Sequence, residues 1–293
     1  MVDSKVGVVE SEESSVVQRA LVVGGGGVAG IAWANGVIIG MADAGVDVTD
    51  ADLIVGTSAG ANVAAQISSG LPLAELFRRQ VDSAVQSHEL KPQGTPIEEV
   101  WERVAAIHAE AEGDPMAARR KLGALALEVE TVPESARRAV VESRLPIHDW
   151  PERRLLVTAV NARTGELRVF DRDSGVPLID AVTASSAVPL VWPPHTIDGV
   201  RYTDGGVRSS ANADLATGCE RVLVLAPLPD DALEKEVAGL TAAGARVAVI
   251  SPDETSLEAF GTDPLDAATR VPAANAGRVQ GKSEAGRVAE LWD

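Results

Sequence analysis

The sequence has few aromatic residues and a single cysteine. Aromatic side chains make up 3% of the 293 residues, whereas Ala, Val and Gly are abundant, which suits close packing of helices on a sheet. The one cysteine, Cys219, excludes an intrachain disulfide framework and a metal site built from several cysteines. We expect Cys219 in the core as a small apolar residue, and a cytoplasmic location fits this cysteine content.

Basic residues and long apolar runs are also scarce. The sequence has 26 Lys and Arg residues and 43 Asp and Glu residues, which gives a formal net charge of −17. This balance argues against nucleic acid as a partner and against strong adsorption to anionic lipid, because both need clustered positive charge. The sequence has no run of about 18 to 20 apolar residues, so we expect no transmembrane segment and at most peripheral membrane contact. Residues 1–18 have no basic region followed by an apolar core, so they predict a mobile acidic tail and no signal peptide.

Strand-like and helix-like segments alternate along the rest of the chain. Strands are predicted at Arg19–Gly24, Leu53–Val55, Arg154–Asn161, Glu166–Asp171, Gly199–Tyr202, Arg221–Ala226 and Arg246–Ile250. The alternation predicts an α/β fold with three α/β/α layers and a mostly parallel central sheet. We expect a single domain over residues 19–293, with a helical insertion at about 91–145 and a helical extension at about 251–293.

Helical periodicity marks the insertion and the extension. Helices outside the motifs are predicted at Leu73–His88, Pro133–Glu142, Asp180–Ser185, Asp231–Ala243, Pro264–Ala273 and Ser283–Leu291. Another helix is predicted to begin at Pro115. The first helix of the insertion carries one face formed by Ile97, Val100, Trp101, Val104 and His108. We interpret the insertion as a lid or a substrate-groove wall, and equally as helical packing without a gating role.

The stretch Gly56-Thr57-Ser58-Ala59-Gly60 lies between a buried strand and a helix. A Gly-x-Ser-x-Gly sequence in this position is typical of a nucleophile elbow, whose sharp turn projects the serine hydroxyl at the N-terminus of the helix. Gly56 and Gly60 leave room for the turn, so Ser58 is predicted to be a nucleophile. The alternative is an ordinary strand-to-helix turn with a serine near the helix cap.

Four consecutive glycines follow the first strand, within the stretch Gly24-Gly25-Gly26-Gly27-Val28-Ala29-Gly30. Glycine costs backbone entropy, so such a run indicates that backbone N–H groups approach another group closely. The spacing fits a dinucleotide-binding loop and also an oxyanion hole, and the alternative to both is a tight turn without a ligand. A dinucleotide fold needs an acidic residue at the end of its second strand, whereas Asp52 lies at the start of this one. We therefore favour the oxyanion hole.

A serine nucleophile needs a base that accepts its proton. Among the four histidines, His195 is a candidate because it lies in the loop Trp192-Pro193-Pro194-His195 before Asp204. Asp204 is the stronger candidate, since it directly follows a strand and precedes Gly205-Gly206, which allows a tight turn beside the carboxylate. An Asp-Gly pair is also common in ordinary turns.

The glycine loop, the serine motif and Asp204-Gly205-Gly206 together resemble the patatin-like phospholipase family in order and spacing. The intervening Ala184-Ser185-Ser186-Ala187-Val188-Pro189 is similar to the family's Ala-Ser-x-Ala-x-Pro block. The resemblance covers roughly residues 19–215. Three motifs in the same order are more specific than any one of them alone.

The resemblance implies a patatin-like α/β/α fold and a lipid acyl hydrolase that works with a Ser-Asp dyad, without histidine, metal or cofactor. Ser58 then corresponds to the nucleophile and Asp204 to the base. The oxyanion hole corresponds to the backbone N–H groups of Gly25, Gly26 and Gly27. The supporting glycines of the loop, the elbow and the base are Gly24, Gly30, Gly56, Gly60, Gly205 and Gly206.

One position departs from the family pattern. Ala29 stands where Arg or Lys is usual, so the hydrogen bonds and the charge of that cation are missing, while the N–H donors are kept. The expected substrate is an acyl ester or a lipid. Two other hypotheses stay open: a non-catalytic binding protein on a patatin-like scaffold, and a dinucleotide-binding oxidoreductase.

Overall fold

The computed structural model describes residues 18–92 and 97–292. The predicted acidic tail at residues 1–18 lies, apart from Gln18, outside the described residues. Within the described ranges, eight strands form one sheet. They are β1 (Arg19–Val23), β2 (Leu53–Thr57), β3 (Arg154–Asn161), β4 (Leu167–Phe170), β5 (His195–Ile197), β6 (Val200–Asp204), β7 (Arg221–Leu225) and β8 (Arg246–Ile250).

The sheet is mostly parallel, as predicted. Its order is β5-β6-β3-β2-β1-β7-β8, with β4 paired to β3; the β3–β4, β3–β6 and β5–β6 pairs are antiparallel. Parallel strands end at the same edge, so the glycine loop after β1 and the serine motif after β2 meet there. The register places Thr57 beside Thr158 and Asp204 beside Ala159. The ends of β2 and β6 therefore reach the same level of the sheet.

Helices cover both faces of the sheet. In the part of the chain that is described, they are α1 (Gly27–Asp43), α2 (Ala59–Ile67), α3 (Leu73–Val81), α4 (Ile97–Glu110), α5 (Pro115–Glu128), α6 (Glu134–Arg144), α7 (Leu178–Ser185), α8 (Asp231–Ala242), α9 (Glu254–Phe260) and α10 (Arg270–Trp292). Alternate residues of β1 point to opposite faces: Leu21 and Val23 join a core with α1, α2, α7 and α10, whereas Ala20 and Val22 join another with α8. Both faces of β1 are thus buried, which explains its unbroken apolar sequence. The predicted three-layer α/β/α fold is confirmed.

The C-terminal part differs from the two helices predicted at Pro264–Ala273 and Ser283–Leu291. One continuous helix, α10, replaces them and packs against α1, and α9 lies outside the predicted helices. A Cβ atom on Gly277 of α10 would lie 2.3 Å from the carbonyl oxygen of Trp33 in α1. Glycine here allows two helix backbones to approach, and it does not end α10.

The helix α3 is shorter than predicted. It ends at Val81, whereas the periodicity predicts helix to about His88. Asp82 Oδ1 accepts the N–H of Ala84 at 3.0 Å. Such a local bond from an aspartate side chain competes with the helical hydrogen bonds, so the chain leaves the helix at this residue.

The helices α4, α5 and α6 of the insertion differ in how they are buried. Val100 of α4 is buried, α5 buries Leu122 and Ala126, and α6 buries Arg137 and Arg144. Most of α4 therefore lies at the surface. Across residues 18–92 and 97–292, no helix has both the length and the apolar character that a membrane crossing requires.

Candidate active site

Ser58 occupies a strained turn between β2 and α2. Its backbone angles are φ 57° and ψ −115°, outside the regions that a residue with a side chain commonly adopts. Its N–H donates to Ser185 Oγ at 2.9 Å, and the residue is 8% exposed. Strain of this kind persists where neighbouring groups fix the backbone. The turn therefore has the geometry of a nucleophile elbow, with the serine at the N-terminus of α2.

Two glycines make this turn possible. A Cβ atom on Gly60 would lie 1.8 Å from the carbonyl oxygen of Val23, and one on Gly56 would lie 2.6 Å from Cα of Ala61. Both separations are too short for any side chain. The expectation that Gly56 and Gly60 leave room for the elbow thus has a steric basis.

Asp204 ends β6 and faces Ser58. Ser58 Oγ donates to Asp204 Oδ2 at 2.6 Å. The other carboxylate oxygen, Oδ1, accepts the N–H of Gly206 at 2.7 Å, and the N–H of Asp204 donates to the carbonyl of Ala187 at 2.9 Å. These bonds fix the carboxylate against the Ser58 hydroxyl.

Burial changes the acidity of Asp204. It raises the pKa of Asp204 to about 6, although the Ser58 hydroxyl, the Gly206 N–H and the positive charge of Arg137 act in the opposite direction. Above pH 6 the carboxylate is mostly ionised, yet it binds a proton more readily than an exposed aspartate. Such a pKa suits a general base near neutral pH.

A buried polar network supports this pair of residues. Asn212 Nδ2 donates to Thr57 Oγ1 at 3.1 Å and to the carbonyl of Gly205 at 3.3 Å, and the hydroxyls of Thr57 and Thr158 are 2.9 Å apart. A Cβ atom on Gly205 would lie 2.2 Å from Thr158 Oγ1, so this position needs glycine. No local sequence pattern marks Asn212 or Thr158, because their positions beside the site depend on tertiary folding.

The glycine loop between β1 and α1 approaches Ser58 closely. A Cβ atom on Gly25 would lie 3.4 Å from Ser58 Cβ. The N–H of Gly24 donates to Leu225 O at 2.9 Å, and the N–H of Gly25 donates to Ser210 O at 2.8 Å. The second bond engages the N–H of Gly25, one of the three predicted oxyanion donors, with another part of the chain.

Gly26 and Gly27 remain as candidate donors. Among the described residues, no hydrogen bond engages the N–H of either glycine. The same holds for the N–H of Ala59, which directly follows Ser58 and occupies a common oxyanion donor position outside the glycine loop. Gly30 lies further into α1, where its N–H donates to Gly26 O at 2.7 Å and fixes the first turn.

The segment with the Ala-Ser-x-Ala-x-Pro pattern forms hydrogen bonds with the turn at Ser58. Ser185 accepts the N–H of Ser58, as described above, and Ser186 Oγ accepts from Asn62 Nδ2 at 3.1 Å. Asn62 Nδ2 also lies 3.1 Å from the carbonyl oxygen of Ser58. Ser185 therefore contacts the backbone of Ser58 directly. Ser186 contacts it both directly and through Asn62.

The structure does not bring His195 to Ser58. His195 begins β5 instead of ending a rigid loop, and its Nε2 lies 2.9 Å from Asp180 Oδ1. Its Nδ1 lies 3.1 Å from Glu134 Oε1. Within the described chain, no hydrogen bond or ion pair joins His195 to Ser58 or Asp204. Both ring nitrogens face carboxylates outside the site.

A cavity of about 360 Å³ opens at Ser58. Asp204, Gly26 and Gly27 are among its lining residues. The rest is mostly apolar, and representative lining residues are Ile97, Val100, Trp101, Val104, Leu122 and Leu265. We call it the apolar cavity. The face of α4 that the sequence predicts, including His108, lines this cavity, so α4 forms one of its walls.

Asp52 lies at the start of β2, at the other end of the strand from Ser58. Its Oδ2 accepts the N–H of Arg19 at 2.9 Å. The carboxylate is therefore engaged by the backbone of β1 and does not lie at the loop where a nucleotide ribose would bind.

A sequence profile of patatin-like phospholipases matches residues 21–217, which is more than half of the chain and includes the glycine loop, Ser58 and Asp204. The chain belongs to the patatin-like phospholipase family. The resemblance seen in the sequence motifs is thereby confirmed. Membership in this family supports lipid hydrolysis as the class of activity.

Two solved structures are similar to this family member at low sequence identity. VipD from Legionella pneumophila is 13% identical with a TM-score of 0.46, over 92% of this chain and 67% of VipD. The type III effector protein ExoU is 14% identical with a TM-score of 0.38, over 90% of this chain and 54% of ExoU. The chain thus spans only part of the length of each. No curated protein matches the chain.

Ala29, which departs from the usual Arg or Lys of the family, is buried in α1. Its N–H donates to the carbonyl oxygen of Pro264 at 3.0 Å. The glycine loop is therefore tied by its backbone to Pro264 on one side and to Ser210 on the other. These bonds hold the loop without a cationic side chain at this position.

Proposed function

We propose that this chain is a serine acyl-ester hydrolase, phospholipase A-like in its chemistry, with Ser58 as the nucleophile and Asp204 as the general base. The hydrogen bond of 2.6 Å from Ser58 Oγ to Asp204 Oδ2 carries this proposal. A serine hydroxyl is a weak nucleophile unless a neighbouring base accepts its proton, and this carboxylate is in direct contact with it.

In the acylation step, Ser58 Oγ attacks the carbonyl carbon of the ester and its proton passes to Asp204. The tetrahedral intermediate collapses, the bond to the alcohol breaks, and the alcohol leaves with the proton from Asp204. Water then attacks the acyl-enzyme and Asp204 accepts a proton from it. Release of the carboxylic acid restores the Ser58 hydroxyl. Every step uses groups of this chain and water, without a cofactor.

The tetrahedral intermediate carries negative charge on the former carbonyl oxygen. The unengaged N–H groups of Gly26 and Gly27 at the start of α1 are the proposed donors to this oxygen, with Ala59 at the start of α2 as a third. One preorganised donor of this kind is typically worth about 2.7–4 kcal/mol of transition-state stabilisation. The N-terminus of each helix adds a favourable dipole.

The apolar cavity supports a lipid or another acyl ester as the substrate. Its volume of about 360 Å³ and its mostly apolar lining suit the hydrocarbon part of an ester whose carbonyl lies at Ser58. Each methylene that moves from water into such a cavity contributes about 0.8 kcal/mol. We therefore expect medium-chain esters to be better substrates than acetyl esters.

Labelling with a fluorophosphonate probe tests the proposal, because this reagent reacts with activated serines. We expect the label on the peptide that contains Ser58, and none in the Ser58→Ala variant. Ser283→Ala, which changes an exposed serine of α10, is the matched control and should label like the wild type. Label on another residue, or ester turnover retained by Ser58→Ala, would refute the assignment. A folded protein that takes up no label would favour the non-catalytic binding protein.

A further inference from the structure

A second cavity, of about 20 Å³, shares Ser58 and Gly27 with the apolar cavity. Its lining includes Glu89, Arg137 and Arg144, and we call it the charged chamber. A space of this size holds about one or two water-sized groups, so an acyl chain does not fit. Apolar side chains such as Leu90 and Trp192 also line it, and its buried charged groups favour a polar occupant.

Arg137 is the unusual residue of this chamber. It is 3% exposed, and within the described chain neither its Nε nor its Nη1 has a hydrogen-bond partner. Its guanidinium lies on the ring of Trp192, with Cζ 4.2 Å from the ring centroid, which holds the group flat and leaves its N–H edge free. Burial lowers the pKa of Arg137 to about 9, and the positive charge of Arg144 acts in the same direction. The group is still cationic at neutral pH, and a buried cation with free donors is stabilised when an anion binds to it.

The charges around the chamber do not cancel. Arg144 donates to both oxygens of Glu89, through Nε at 3.0 Å and Nη2 at 2.5 Å, and Arg270 donates to the same carboxylate. Arg137 has no hydrogen bond to Glu89 within the described chain, so the three guanidinium groups have one carboxylate among them. Even when Asp204 is ionised, one positive charge remains. This local excess contrasts with the formal net charge of −17 of the whole chain.

We propose that Arg137 binds the phosphate of a glycerophospholipid in the charged chamber while an ester carbonyl of the same lipid lies at Ser58. This inference rests on the proposed function. A guanidinium donates two parallel N–H groups to phosphate oxygens, and it does so most strongly where water is excluded. One or two phosphate oxygens fill the chamber, and the acyl chain extends into the apolar cavity. One substrate molecule reaches both spaces because they meet at Ser58.

Two soluble substrates that differ in the headgroup test this role. Dihexanoylglycerophosphocholine carries the phosphate, and dihexanoylglycerol has the same acyl chains without it. At pH 8, where Asp204 is ionised, we expect Arg137→Met to lower kcat/KM for the phospholipid by about 10- to 100-fold, the range for a lost hydrogen bond to a charged group. The uncharged ester should change by less than about threefold, since it makes no such bond.

Two further variants separate binding from folding. Arg137→Lys keeps the charge and should restore part of the phospholipid activity. Arg138→Met changes the neighbouring arginine of α6, whose side chain is 35% exposed and pairs with Asp180, and should leave the ratio of the two activities unchanged. Circular dichroism and the melting temperature of Arg137→Met check that this variant is folded, since the substitution also removes the contact of the guanidinium with Trp192.

Other outcomes overturn the proposal. An equal loss on both substrates, or a shifted pH profile alone, would mean that Arg137 acts through the charge of Asp204. Inhibition of diacylglycerol hydrolysis by inorganic phosphate, dependent on Arg137 but with an unchanged substrate ratio, would assign the chamber to free phosphate. A wild-type enzyme that cleaves diacylglycerol and not the phospholipid would overturn the phosphate site and keep the Ser58 chemistry. Absence of the fluorophosphonate label on Ser58 would instead be a failure of the proposed function itself.

Discussion

The two cavities that meet at Ser58 differ in size and in the charges that line them. The apolar cavity measures about 360 Å³ and is bounded by α4, α5 and loop residues such as Leu265. The charged chamber measures about 20 Å³, and Arg137, Arg144 and Glu89 line it together with apolar side chains such as Trp192. An acyl chain and a phosphate need opposite surroundings, because one gains by leaving water and the other loses unless it is paired. This difference fits the substrate that we propose, an ester with one apolar and one charged arm.

The largest expected effect comes from Ser58, which lines both cavities. Ser58→Ala should lower kcat for neutral esters and phospholipids alike by about 10⁴- to 10⁶-fold, as loss of a catalytic serine does in other hydrolases. Rates on both substrate types, with circular dichroism as the control for folding, check this. A variant that loses one substrate type and keeps the other would mean that the two cavities do not share a nucleophile.

Asp204→Asn should lower the acylation rate by about 10²- to 10⁴-fold, which is the usual contribution of a general base. This loss is smaller than the one expected for Ser58→Ala. Since the base acts as the ionised carboxylate, wild-type activity should fall as the pH drops through about 6. A pre-steady-state burst assay measures acylation, and a pH profile of kcat/KM measures the titration. A profile without an acidic limb near this pH would argue against Asp204 as the base. A similar loss in His195→Ala would favour a triad.

Asp204 should also make stability depend on pH. Its pKa is about 6 in the folded chain and 3.8 ordinarily, so the folded state binds the proton more tightly and loses stability as the pH rises between these values. The shift corresponds to about 3 kcal/mol at most. The wild type should therefore lose free energy of unfolding between pH 4 and pH 7, whereas Asp204→Asn should not lose this contribution. The variant should thus be more stable relative to the wild type at pH 7 than at pH 4.

Urea denaturation of the wild type and of Asp204→Asn at both pH values measures this difference. Asp149→Asn removes an exposed carboxylate and controls for the loss of a surface charge. A stability difference between wild type and Asp204→Asn that is the same at pH 4 and pH 7 would contradict the raised pKa.

The smallest expected effect concerns the apolar cavity alone. Trp101 is 45% exposed and lines this cavity from α4. Trp101→Ala should lower kcat/KM for octanoyl esters by about three- to tenfold and leave butyryl esters nearly unchanged, because longer chains bury more methylenes against this wall. Leu257→Ala, at a 55% exposed residue outside the cavity lining, is the matched control. An equal effect on both chain lengths would mean that α4 does not contact the acyl chain.

The sequence was sufficient for the elements whose causes are local. The unbroken apolar sequence of β1 predicts a strand that is buried on both faces, and the strand-helix alternation predicts the layered sheet. Gly56 and Gly60 mark the elbow because no side chain fits there, and Asp204 is marked by the glycines that follow it. The apolar face of α4 was likewise visible from its periodicity. These features depend on residues that lie close together in the chain.

Tertiary structure decided the hydrogen bonds and the packing between residues that are far apart in the chain. The N–H of Gly25 is taken by Ser210, the backbone of Ala29 is tied to Pro264, and α10 continues through glycines that pack against α1. No local pattern reports these contacts, since each depends on how the chain returns to the sheet. Arg137 is the clearest case. In the sequence it resembles any charged residue of an exposed helix, and its burial beside Ser58, with free donors and an uncancelled charge, exists only because α6 packs over the site.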